Sequence, residues 1–345
     1  MKISKLLFLG VLGSLTFASC SSDDDNNTDG DNVDNGTADL YATSHNDGNV
    51  TKYNLITGEA TTYVTGSSDA EGIYYSPEDD SFTQASRSTS LNTSLDTYLD
   101  VNTISTDLSI NIDAAFSSSA DLESPRDLAV NGNTYVVSDN ADADGDDTTA
   151  DGRFFVYTKT NGDFTLRNVV TVDFKVWGIE FVGNDLYAIV DTTNKLAVFT
   201  NFTATNTTDA TVSASKTIAV EGIVRTHGLD YDGGTMILTD IGAASSDNDG
   251  AFHIITDFDS KFDGVADGEM LAVSSQSRVE GAGTFLGNPV NVVYDADTDT
   301  VFVAELANGG GRVLSFENAS AASGEVTPMI NNNLSGVSSL YFYAE

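Results

Sequence analysis

Six similar segments recur along this chain, and nothing else in the sequence restricts the fold as tightly. EGIYY (71–75), RDLAV (126–130), WGIEF (177–181), HGLDY (227–231), VNVVY (290–294) and SSLYF (338–342) align on their second residue. These aligned residues are Gly72, Asp127, Gly178, Gly228, Asn291 and Ser339, with steps of 55, 51, 50, 63 and 48 residues. After most of them comes a second apolar run that ends in an acid: NTYVVSD (133–139), DLYAIVD (185–191), TMILTD (235–240) and DTVFVAE (299–305). A third run then follows: GRFFVY (152–157), KLAVF (195–199), GAFHII (250–255) and GRVLSF (311–316). The stretch 176–199 shows the grammar best, with Ile179/Phe181, Leu186/Ala188/Val190 and Leu196/Val198 separated by Gly183-Asn184 and Thr193-Asn194. Alternation of period two, broken regularly by turn residues, predicts strand, hairpin, strand. Repeats of roughly fifty residues with several strands each predict a β-propeller.

The two ends of the repeat region complete each other. Second- and third-strand matches stand at DLYATSH (39–45) and GNVTKYNL (48–55) with no first strand before them, while SSLYF is a first strand with nothing after it. Joined, they make one blade, which gives an all-β, six-bladed propeller of four-stranded blades over residues 38–345, closed by the C-terminal strand. Such closure removes free sheet edges. The alternatives are an open β-sandwich, or seven blades with a degenerate one in 85–120. Four prolines and no sustained 3.6-residue periodicity leave little room for helix, so 200–217 and 318–330 read as outer strands with loose loops.

Residues 1–20, MKISKLLFLGVLGSLTFASC, place Lys2 and Lys5 before an apolar run from Leu6 to Phe17 and end in Ala18-Ser19-Cys20. That layout is a secretory signal, too short for a membrane span. The small residues before Cys20 resemble the lipobox of bacterial lipoproteins, with Phe17 where Leu is usual. The resemblance implies that Cys20, the sole cysteine, is acylated and anchors the chain to a membrane. Residues 21–37 hold Val33 as their one large apolar side chain and form an acidic, disordered tether, about 20–25 Å long on average if flexible. Its opening Ser21-Ser22-Asp23-Asp24-Asp25 resembles the acidic export signal of surface lipoproteins in some Gram-negative bacteria. The expectation is an outer-membrane lipoprotein facing outward; the alternative faces the periplasm.

A formal charge of −37 repels phosphate backbones, so nucleic acid is not an expected partner, and it favours cations. In a propeller, the loops entering first strands and those joining second to third strands share one face, where binding sites collect. The residues just before the aligned positions are Glu71, Arg126, Trp177, His227, Val290 and Ser338. Ring order sets Glu71 across from His227, Arg126 beside Glu71, and Trp177 between Arg126 and His227. This mixture suits a polar ligand, with the Trp offering a stacking face. The competing reading is structural: Glu71 and Arg126 form an ion pair that plugs the channel, and Trp177 packs on a neighbouring blade. Gly72, Gly178 and Gly228 predict crowded backbones near the axis.

The loop DNADADGDDTTAD (139–151) carries Asn140, Asp142, Asp144, Gly145, Asp146 and Asp151 in an order that resembles the EF-hand calcium loop. Asn140 stands for the usual first Asp, and Asp151 for the last Glu. Oxygen ligands spaced around a Gly turn can converge on Ca²⁺. Hairpin geometry alone also accounts for Asp151-Gly152, since Asp249-Gly250 and Asp47-Gly48 recur at equivalent places. A second acidic loop, SSDNDG (245–250), is a weaker candidate.

Glu71-Gly72 at the head of a first strand resembles the gluconolactonase and senescence-marker propellers, whose metal is held by Glu, Asn and Asp at such heads. Glu71 is the position that carries over; Arg126, Trp177 and His227 depart from the pattern. The layout is also similar to NHL-type propellers, which mostly bind partners. The expected function is therefore non-catalytic: a monomeric, lipid-anchored propeller that binds a glycan, peptide or protein at the channel mouth, with Ca²⁺ stiffening one rim loop. The alternative is a metal-dependent, lactonase-like hydrolase using Glu71 and His227.

Overall fold

A computed structural model describes residues 36–87, 93–104, 108–146, 148–243 and 246–345. The signal segment, Cys20 and tether residues 21–35 lie outside the described residues, as does Ser245 of the second acidic loop.

Six sheets of antiparallel strands form a closed ring. Blade 1 is Ala70–Ser76, Ser81–Ser86, Leu95–Tyr98 and Phe116–Ser117; blade 2 is Pro125–Asn131, Thr134–Asp139, Gly152–Thr160 and Asp163–Val172. Blade 3 is Val176–Val182, Asp185–Val190, Lys195–Phe199 and Lys216–Val220; blade 4 is Leu229–Asp232, Thr235–Asp240, Ala251–Ile255 and Ser277–Glu280. Blade 5 is Pro289–Asp295, Thr300–Glu305, Arg312–Glu317 and Ile330–Asn333. Blade 6 takes its innermost strand, Val337–Ala344, from the end of the chain and Ala38–Ser44, Val50–Asn54 and Ala60–Val64 from the start. The closing pair is antiparallel, with Leu40 opposite Phe342 and Tyr41 opposite Tyr341. Thr37 and Glu345 continue it by exchanging backbone N–H bonds of 3.0 Å each.

Alternation within each strand gives every blade two apolar faces, so the core is six hydrophobic layers, one between each pair of neighbours. Second strands are sandwiched on both sides: Ser81–Ser86, Thr235–Asp240 and Thr300–Glu305 are buried throughout. Outer edges are covered by the next blade. Ser109–Asn111, Ala210–Thr211 and Met270–Leu271, each from a connection in the following blade, add a short parallel strand to the outer edge of blades 6, 2 and 3. This blunts edges that would otherwise template aggregation.

Between strands three and four the loops are less loose than their composition implies. Asp100, Asn201, Asp257 and Asn318, each two residues after a buried Tyr98, Phe199, Ile255 or Phe316, adopt φ of 59°, 48°, 49° and 53°. Asn and Asp tolerate this left-handed conformation better than other side chains. The turn drives the next residue, Val101, Phe202, Phe258 or Ala319, wholly into the core, and short helices Phe202–Thr205 and Phe258–Asp263 follow.

At five of its six occurrences the aligned position on the first strands behaves in one of two ways. Where it is glycine, the neighbouring backbone occupies the space a side chain would need: a Cβ on Gly72 would lie 2.3 Å from the Leu128 nitrogen, on Gly178 2.4 Å from the His227 oxygen, and on Gly228 2.7 Å from the Asn291 Cα. Where it is Asp127 or Asn291, the side chain bridges to the next blade instead, accepting the N–H of Ile179 (3.0 Å) and of Leu340 (3.0 Å). First strands of neighbouring blades do not pair as a sheet, so these contacts stand in for ladder bonds.

Candidate functional site

Five of the six head residues form a continuous arc. Ser338 donates its hydroxyl to the Ala70 carbonyl (2.6 Å), tying blade 6 to blade 1 just before Glu71. The Glu71 carboxylate, 2 % exposed, is ringed by three basic groups: Arg87 at 3.2 Å, Arg126 at 3.4 Å and His45 Nε2 at 3.5 Å. Burial pushes the Glu71 carboxyl up while His45, Arg126 and Arg87 pull against it. Arg126 in turn lies over the Trp177 ring, 4.3 Å from its centroid, and Trp177 stacks on His227 with centroids 3.8 Å apart and planes 4° from parallel. Val290 is outside the arc, packed in the apolar layer between blades 5 and 6.

The arc changes two expectations. Glu71 and His227 are linked around the ring through Arg126 and Trp177, with no direct contact between the two among the described interactions. Nor does Trp177 hold out an open ring: Arg126 lies over it and His227 is stacked against it, with Arg225 a further cation 5.9 Å from its centroid. Sequence order placed the four residues correctly around the ring but could not say how far each side chain reaches.

The acids that end second strands explain the neighbouring geometry. Asp139 accepts the N–H groups of Glu123 (2.7 Å) and Ser124 (2.8 Å), Asp240 those of Val224 (3.0 Å) and Arg225 (3.1 Å), and Glu305 those of Gly287 (2.8 Å) and Asn288 (2.9 Å). Each carboxylate thus holds the loop leading into the first strand of its own blade. Asp191, the equivalent in blade 3, departs from this rule. Its Oδ1 receives Arg225 Nη2 (2.7 Å) and Nε (3.0 Å) from the next blade and lies 3.3 Å from His227 Nε2. Burial raises the Asp191 carboxyl, but His227 and Arg225 outweigh it and hold the group below its ordinary range. Burial pushes His227 down from its ordinary value despite Asp191, so the imidazole is neutral at neutral pH. Neither Nδ1 nor Nε2 of the ring has a hydrogen-bond partner.

Around this buried row lies a rim of partly exposed charge: His45 bonded to Asp69 (2.7 Å), Arg87 and Arg225. Among the acids of loop 139–151, Asp142, Asp144 and Asp151 bring one carboxylate oxygen each within 4.8 Å of one another. The other two expected ligands turn elsewhere. Asn140 Oδ1 accepts the Ser124 hydroxyl (3.0 Å), and Asp146 Oδ1 accepts the hydroxyl (2.6 Å) and N–H (3.1 Å) of Thr148 in its own turn.

The open space in the ring lies beyond the arc. A cavity of about 430 Å³ follows the first strands from Asp127 and Ile179 down to Asp295 and Asp297. Asp127, Glu180 and Asp230 line it. Sequence reasoning missed these three, although each stands one or three residues beyond a head position.

No known protein family and no curated protein matches this sequence. Solved structures do resemble the fold. A 6-phosphogluconolactonase-like protein from Bacteroides fragilis matches with a TM-score of 0.56 at 10% identity, over 91% of this chain and 100% of that one. A structure from a nidogen–laminin complex matches with a TM-score of 0.52 at 10% identity, over 88% and 98%. At such identity the likeness is one of propeller architecture alone.

Proposed function

We propose that this chain is a non-catalytic binding propeller, anchored by lipid on Cys20 to the outer face of a bacterial outer membrane, which engages a glycan, peptide or protein through its head face. The observation that carries the reading is the Glu71–Arg126–Trp177–His227 arc. Its charges are matched to one another and its rings are stacked, which gives a stiff platform rather than a poised reactive group. The rim above it, His45, Asp69, Arg87 and Arg225, supplies mixed charge for polar recognition. One similar structure comes from a protein–protein complex, that of nidogen with laminin. In the same reading, Asp142, Asp144 and Asp151 hold Ca²⁺ and stiffen the rim loop, with fewer protein ligands than the sequence spacing implied.

A second reading, a lactonase-like hydrolase, is favoured by Asp191 lying 3.3 Å from His227 Nε2 and by ring nitrogens of His227 that make no hydrogen bond. Against it, the buried head carboxylate, Glu71, already has three basic neighbours where a metal ion would sit. One set of measurements separates the readings. Glycan and peptide arrays probed with the purified protein, with and without Ca²⁺, should give binding that Arg87→Glu or Arg225→Glu removes. Turnover of a lactone panel with added divalent metal, abolished by His227→Ala and Glu71→Gln, would overturn the binding reading.

A further inference from the structure

A second cavity, of about 750 Å³, lies between blades 1 and 2 on the face opposite the head. Three turns frame it: 77–79 after the first strand of blade 1, Gly132-Asn133 after the first strand of blade 2, and Asn161-Gly162 between the third and fourth strands of blade 2. Its aromatic walls are fixed by contacts across the two blades. Phe116 lies against Gly162, where an added Cβ would fall 2.3 Å from the ring, and Tyr74 meets Tyr135 edge to face at 5.8 Å. Walls braced in this way form the cleft before any ligand arrives.

Lys159, which lines the cleft, is the residue that points to a ligand. Among the described residues every other Lys and Arg, the exposed Lys195 aside, meets an oxygen acceptor. Half-buried Lys159 has none: its Nζ rests over the rings of Tyr135 (5.5 Å) and Phe164 (5.4 Å), and burial pushes the ammonium below its ordinary range. The surrounding charges decide the class of ligand. Glu78 and Asp79 lie close enough to act on Tyr74, and Asp79 on Lys159. An anion entering the cleft therefore meets two acids and the field of a chain with net charge −37, while a cation meets Lys159. A neutral polyhydroxyl compound avoids both repulsions. The amides of Asn133 and Asn161 donate and accept, the carboxylates accept from hydroxyls, and Lys159 donates. Aromatic walls suit the apolar C–H face of a sugar ring.

We propose that this cleft binds a neutral saccharide, with Lys159 and Asn133 as hydrogen-bonding groups and the rings of Tyr74 and Phe116 as walls. It lies on the opposite face from the head platform and is independent of what that platform binds.

The test titrates maltose, cellobiose and N,N′-diacetylchitobiose into the purified chain by calorimetry, with glucuronate and glucosamine as charged comparisons. Saturable binding of at least one neutral disaccharide is expected at millimolar concentration or below. Two variants remove the polar groups and spare the packing. Lys159→Met keeps an apolar stem on the two rings, and Asn133→Ala keeps the main-chain oxygen that accepts the Lys159 N–H (2.9 Å). The double variant should bind at least tenfold more weakly while still melting cooperatively, and each single variant should fall between it and the parent. No binding of any of the three disaccharides, or equal binding to the double variant, overturns the proposal. Tighter binding of glucuronate or glucosamine than of the neutral sugars, lost with the same variants, also overturns it and assigns the cleft to a charged ligand.

Discussion

Gly72→Ala tests the packing that holds the head residues together. The added Cβ would lie 2.3 Å from the Leu128 nitrogen, 2.6 Å from the Asp127 carbonyl carbon and 2.7 Å from the Leu128 Cβ. Comfortable carbon contacts begin near 3.5 Å, so blades 1 and 2 must separate locally by about 1 Å. Neither side yields easily: Leu128 is fixed opposite Val137, and Ile73 opposite Gln84. Overpacking a rigid site costs about 1–3 kcal/mol, and three contacts with backbone or Cβ atoms put this case at the upper end. Replacing glycine also restricts the unfolded chain, which returns about 0.4–1 kcal/mol. The net expectation is destabilisation by about 2–3 kcal/mol. The same opening would stretch the 3.4 Å Glu71–Arg126 contact and disturb the head platform. Urea unfolding, followed by the fluorescence of Trp177, the chain's one tryptophan, gives the number. Gly264→Ala is the control: its backbone is helical, and the nearest atom to a new Cβ is the Ser260 oxygen at 3.4 Å. If Gly72→Ala unfolds within about 0.5 kcal/mol of the parent, as expected for the control, the crowding argument is wrong.

Two further predictions draw on the same contacts. The Trp177 ring, stacked on His227, should report that imidazole: fluorescence should drop as pH falls through a midpoint below the ordinary histidine value, and His227→Ala should abolish the titration. Because the folded His227 is held below the unfolded value of about 6.5, the stability it contributes is complete above that pH and is lost as pH falls through the lowered folded value. His253, pushed down to about 4 by burial, acts in the same sense. Deleting residues 337–345 should open the ring. It removes the fully buried Val337 and nearly buried Leu340, about 1.5–3 kcal/mol each, and leaves Ala38–Ser44 as a bare edge. Against a total of about 5–15 kcal/mol, sharp cooperative unfolding should be lost, and an unchanged urea midpoint would rule out the closure argument.

Blade number, blade size and ring closure were legible in the sequence because they rest on local signals repeated six times: alternating apolar residues, turn residues, and a first strand stranded at the far end of the chain. Crowding at Gly72, Gly178 and Gly228 was legible for the same reason. A further local signal was there to be found, the Asn or Asp two residues after the last buried residue of the third strand, which turns the next residue into the core. What the fold alone decided lies between blades, where residues more than thirty positions apart meet. Arg126 and His227 enclose the ring of Trp177, Asp191 reaches into the next blade, and Glu180 lines the lumen with Asp127 and Asp230. Alternation says which face of a strand a side chain leaves from; how far it reaches, and whether a neighbour or empty space receives it, depends on how six separate strands converge on one axis.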